Sequence, residues 1–101
     1  MESLKIKGTE RPVKYGYGAL LLAEQITGKP WGTSQGLSAT MVLMWCCLVN
    51  ADKDITLTFD DFIEACDEDA TIMKKMGDII DRQTARWGKK EEEGEEDKKK
   101  D

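Results

Sequence analysis

Between Asn50 and Asp69 the chain reads NADKDITLTFDDFIEACDED. Eight carboxylates stand here, Asp52, Asp54, Asp60, Asp61, Glu64, Asp67, Glu68 and Asp69, against one base, Lys53. Such a density supports two kinds of chemistry. Oxygen atoms at alternate loop positions can hold a hard cation such as calcium. Carboxylates at a helix start can instead satisfy its unpaired N–H groups and complement its dipole.

The cation reading places Asn50 at position 1 of a calcium loop. Asp52, Asp54, Thr56, Thr58 and Asp61 then fall at positions 3, 5, 7, 9 and 12, a spacing that resembles an EF-hand. Three departures count against it. Ile55 stands where glycine makes the sharp turn, and a β-branched residue resists positive φ. Asp61 is shorter than the bidentate glutamate, and Asn50 carries no charge. There is also no second loop of this kind. The capping reading needs no ion. Thr58 caps a helix with Asp60 and Asp61 in its first turn, and Asp61 three residues on makes a shortened capping box. Asn50 to Asp54 is then a polar turn, and Asp67 is placed to cap the next helix. The expectation is capping, with no metal and no cofactor.

Other chemistry is sparse. The chain has no histidine, which removes the commonest general base and metal ligand together. Cys46, Cys47 and Cys66 form no CxxC pair, and neighbouring cysteines on a helix point about 100° apart. They read as reduced core residues. A non-catalytic protein is expected. The formal net charge of −5 offers no basic face for nucleic acid. The longest unbroken apolar run, Met41–Val49, is far shorter than the ~20 residues of a membrane span. No signal peptide is visible at the start, so the expectation is a soluble intracellular chain.

The elements that must position these residues follow from period and punctuation. Leu4, Ile6 and Val13 around Gly8-Thr9-Glu10 suggest a hairpin within 1–14, with Pro12 at an edge. A first helix is expected over 15–27, with Ala19, Leu22 and Ile26 as its stripe, widened by Leu20, Leu21 and Ala23. Gly28 is its left-handed stop. A second helix, from 34 or 38 to 50, is apolar nearly all round and must be covered all round. A third over 58–67 buries Phe59, Phe62, Ile63 and Cys66. A fourth over 70–87 lines Ile72, Met73, Met76, Ile79, Ile80 and Trp87 along one face. Residues 88–101 hold no apolar side chain and read as a disordered charged tail. The fold class expected is all-α, a four-helix domain over 1–87 with a short N-terminal hairpin.

The order of motifs resembles a known family. After the hairpin come Tyr15-Gly16-Tyr17-Gly18-Ala19-Leu20, then Glu24-Gln25-Ile26-Thr27-Gly28-Lys29. An apolar helix ends Leu48-Val49-Asn50, and Leu57-Thr58-Phe59-Asp60-Asp61-Phe62-Ile63 follows. Over residues 4–85 this is similar to the tail assembly chaperones of long-tailed phages and prophages. The resemblance implies a helical, self-associating protein in the cytoplasm of the bacterial host. It implies binding to the tape-measure protein and recruitment of tail-tube protein. From the residues, Met41, Met44 and Trp45 on the second helix and Met73, Met76, Ile80 and Trp87 on the fourth are the expected contacts with partners or other copies. Two alternatives stay open: a calcium-binding module at 50–61, and an oligomeric structural adaptor of a phage particle.

Overall fold

A computed structural model describes residues 2–30, 32–33 and 36–100, with side chains described no further than Trp87. The chain begins with an antiparallel hairpin of β1, Ser3–Ile6, and β2, Thr9–Pro12. Ser3 lies opposite Pro12 and Ile6 opposite Thr9. The turn is Lys7-Gly8, with φ of 51° and 78°. Two residues at positive φ make the turn whose twist matches that of the strands. Thr9 and Glu10, expected in the turn, therefore belong to β2. Alternation along β1 buries Leu4 and Ile6 and leaves Ser3 and Lys5 in water.

Four helices follow: α1, Tyr17–Thr27; α2, Leu37–Ala51; α3, Phe59–Glu68; and α4, Thr71–Lys100. The molecule is thus mostly helical rather than purely all-α, because the hairpin adds Leu4 and Ile6 to the same core as the helices. α1 starts two residues later than expected, since the backbone around Tyr15 is bonded elsewhere. It stops at Gly28, whose φ of 70° is left-handed and whose N–H bonds Glu24 O at 2.8 Å. The Ser34 start considered for α2 lies outside the described residues. Residues 88–100, expected as a disordered tail beyond a helix ending at 87, continue the backbone of α4, and only residue 101 of that tail lies outside the described residues.

α2 is the central helix, packing against α1, α3, α4 and β2. Every residue of Met41–Val49 is buried or half-buried. The apolar run Met41–Val49 is therefore largely covered from within the chain, while Leu37 at the start of α2 is exposed. α1 can approach it closely because Gly18 has no side chain: a Cβ there would collide with the Asn50 amide. Small residues also decide which face of α1 is inward. Ala19, Leu20 and Ala23 are buried and Leu22 is half-buried, whereas Leu21 and Ile26, both expected in the stripe, are exposed.

Candidate interaction surface

The acidic stretch folds into helix starts and a turn. Thr58 Oγ1 accepts from Asp61 N at 3.0 Å, and Asp61 Oδ2 accepts from Thr58 N at 3.3 Å, a reciprocal capping box. Asp60 sits exposed in the same first turn. Asp52 Oδ1 accepts from Asp54 N at 3.1 Å, closing the turn after α2. α4 is capped by Asp69 rather than Asp67: Asp69 Oδ1 accepts from Thr71 N at 3.0 Å and Thr71 Oγ1 at 2.6 Å. These bonds from Thr71 hold the Asp69 carboxyl below the ordinary carboxylate value.

Asn50 is turned away from the loop. Its Nδ2 donates to Lys14 O at 3.1 Å, and its Oδ1 accepts from Lys53 Nζ at 3.1 Å. Thr56 is exposed. Among the described residues, no three carboxylate or thiol side chains converge on one point. Most of the remaining carboxylates face water, with Glu64 reaching Lys7 at the hairpin tip, 3.5 Å away.

The segment leaving the hairpin is fastened on two sides. Val13 N donates to Glu2 O at 2.9 Å and Lys14 N to Cys47 O at 3.0 Å. From α4, Gln83 clamps the same segment with both ends of its amide. Its Nε2 donates to Val13 O at 2.8 Å, and its Oε1 accepts from Tyr15 N at 2.6 Å. A backbone that leaves a sheet without entering a helix must find such partners. Alongside, the Glu2 carboxylate receives Arg82 and Arg86, each at 2.8 Å. The hydrogen bonds from Arg82 first and Arg86 second hold Glu2 below its ordinary value.

This fastening builds an aromatic edge. Trp87 meets Tyr15 edge-on at 5.4 Å and Tyr17 at 4.6 Å. Tyr15, Gln83, Arg86 and Trp87 line an open hollow of about 240 Å³. On α1, Tyr17 and Leu21 share a face one turn apart, whereas Ile26 lies about 140° round the helix from Leu21. Tyr17 is 65% exposed, Leu21 59% and Ile26 47%, and Leu37 at the start of α2 is 66% exposed.

The expected contact residues lie mostly elsewhere. Met44 and Met76 are inside the core, and Met41, Trp45, Met73 and Ile80 are half-buried against it. Trp45 is held by Nε1 donating to Leu57 O at 3.0 Å and by an edge-on contact with Phe59. Trp87 alone of the set borders the exposed apolar surface. Tyr17, Leu21, Ile26 and Leu37 were not singled out as contacts from the sequence. The signal was present in Leu20-Leu21-Leu22: three successive leucines sweep about 200° of a helix, more than one packed face accepts.

The three thiols are buried. Burial pushes Cys46 up to about 11 and, with its neighbour Cys46 adding, Cys47 up to about 12. Cys66 is raised as well, by burial and then by Asp67 and Asp69. All three are buried and unpaired. No helix among the described residues is long and apolar enough to cross a membrane. No family model matches this chain, and no curated protein and no solved structure matches it.

Proposed function

We propose that this chain is a non-catalytic assembly chaperone for phage tail proteins, acting by contact in the cytoplasm of a bacterial host. The observation that carries the reading is the exposed apolar pair Tyr17 and Leu21, one turn apart on α1, with Trp87 against Tyr17. Large exposed apolar groups that lie together mark surfaces where other proteins are held. Aromatic residues are favoured there for the area that each one contributes. The motif order over residues 4–85 supports the same reading, and names the tape-measure protein as the client and tail-tube protein as the recruited subunit.

The test is co-expression with a phage tape-measure protein. The expected result is a rise in the soluble fraction of that protein, lost when Tyr17 and Leu21 are both replaced by Ser. An unchanged soluble fraction with the parent chain removes the reading. A calcium module is the rival. Calcium titration calorimetry with no heat up to about millimolar concentration, the weak limit for such modules, counts against it.

A further inference from the structure

Tyr15 and Tyr17 both stand edge-on to Trp87, at interplanar angles of 80° and 72°. Rings that meet near a right angle leave corners between them. The hollow of about 240 Å³ lined by Tyr15, Gln83, Arg86 and Trp87 lies at such a corner. Sites for whole small molecules measure roughly 300–1,000 Å³. This one is smaller and open, with room for a side chain or two of a longer ligand. Its hydrogen-bonding groups are one-sided. Tryptophan and arginine donate and cannot accept. Among the described residues, the Trp87 Nε1 and the Tyr17 hydroxyl have no hydrogen-bond partner. Arg86 gives Nη2 to Glu2 and keeps its other N–H groups. The Gln83 amide is already engaged with Val13 O and Tyr15 N. Charge is one-sided too, since Arg82 and Arg86 share the single carboxylate of Glu2.

The fitting ligand brings apolar rings, free acceptors and negative charge. A helix spends its carbonyls on its own backbone. An extended strand has free carbonyls but brings as many N–H groups, which these donors cannot receive. A cation, which aromatic faces otherwise attract, is opposed here by the two arginines. A polyproline II segment has no internal hydrogen bonds, and proline has no N–H. We propose that the hollow at Trp87 binds a proline-rich segment of another protein, in the polyproline II conformation, with an acidic residue beside the prolines. A proline ring sits in the corner between Tyr15 and Trp87. The Trp87 Nε1 and the Tyr17 hydroxyl donate to carbonyls of the segment, and its carboxylate meets Arg86. Aromatic-lined grooves are the general means by which such segments are held. The binding needs only these rings and donors and does not require the chaperone reading.

Titration calorimetry of the purified full chain tests it, with an end-blocked synthetic peptide of six prolines followed by two glutamates. The expected result is saturable binding of one peptide per chain. Tyr17→Phe keeps the ring and removes one donor, so it weakens binding about 2–10-fold. Trp87→Ala removes the central ring and weakens binding about tenfold or more. Because Trp87 also packs within the fold, Tyr17→Ala is the second variant. Tyr17 is largely exposed, so that chain keeps the parent's melting while binding about tenfold more weakly. The same peptide with alanines for prolines does not bind, and one with lysines for glutamates binds several-fold more weakly. No saturable binding of the proline peptide up to about 1 mM, the weak end of specific affinities, overturns the proposal. So does an alanine or lysine peptide that binds as tightly as the first, and so do Tyr17 and Trp87 variants that bind like the parent.

Discussion

At the scale of single residues, two glycines in helices have opposite meanings. Gly18 faces the Asn50 side chain, and Asn50 is itself held by Lys14 O and Lys53. Gly18→Ala forces that amide aside, and overpacking of this kind costs about 1–3 kcal/mol. Gly77 has nothing within 4 Å of where its Cβ would stand. Gly77→Ala should stabilise α4 by about 0.5–1 kcal/mol, because only the backbone entropy of glycine is removed. Urea melts of the two variants should therefore shift in opposite directions. A destabilised Gly77→Ala would show that the α4 backbone is not freely helical there. Thr58→Ala loses an N-cap and should cost about 1 kcal/mol. Calcium should not change that cost, because Oγ1 of Thr58 is occupied by Asp61 N.

At the scale of elements, legibility in the sequence follows the distance between partners. Thr58 and Asp61 are three residues apart, and Gly28 acts on its own helix, so both caps could be read directly. The choice of Asp69 over Asp67 could not, because it depends on where α3 stops, and helix ends are set by packing as much as by local signals. The face of α1 was misread for a related reason. Its apolar residues go nearly all round, and the inward side is chosen by the fit of Ala19, Gly18 and Ala23 to α2. The Gln83 clamp was invisible, since its partners lie 68 and 70 residues away. It is nonetheless a strong element-to-element tie. Gln83→Ala leaves a part-buried carbonyl and N–H unpaired, for a cost of about 1–3 kcal/mol. Hydrogen exchange at Tyr15 N–H should accelerate in that variant well before amides in the middle of α2. Equal acceleration of both would mean global loosening and not a local tie.

At the scale of the whole molecule, pH acts from both ends. Glu2 and Asp69 have depressed values, so each adds stability that is full above its ordinary carboxylate value and is lost as pH falls through the folded value. Acid melts should thus be salt-sensitive through the Glu2–Arg82–Arg86 group, which faces water. The thiols act at the alkaline end. An unfolded chain ionises its cysteines near 9.0, while folded Cys46 and Cys47 hold their protons to about 11 and 12. The folded state then binds more protons than the unfolded one, so stability falls as pH rises above about 9. Labelling by a thiol reagent at pH 8 should follow the rate of global unfolding, and rapid labelling of the folded chain would contradict the burial of all three groups.

The ties from Glu2 to Arg86 and from Val13 to Gln83 also carry a consequence for timing. The hairpin is made before the helix that fastens it, 84 residues earlier in the case of Arg86. At synthesis rates of about 5–20 residues per second, that interval is roughly 4–17 s. A lone two-stranded hairpin is marginal in water, so Leu4 and Ile6 have no lasting cover until α4 arrives. The nascent chain thus passes through a stage in which its own opening strands are exposed to whatever is near the ribosome. Shortening the chain before Gln83 should leave that stage permanent.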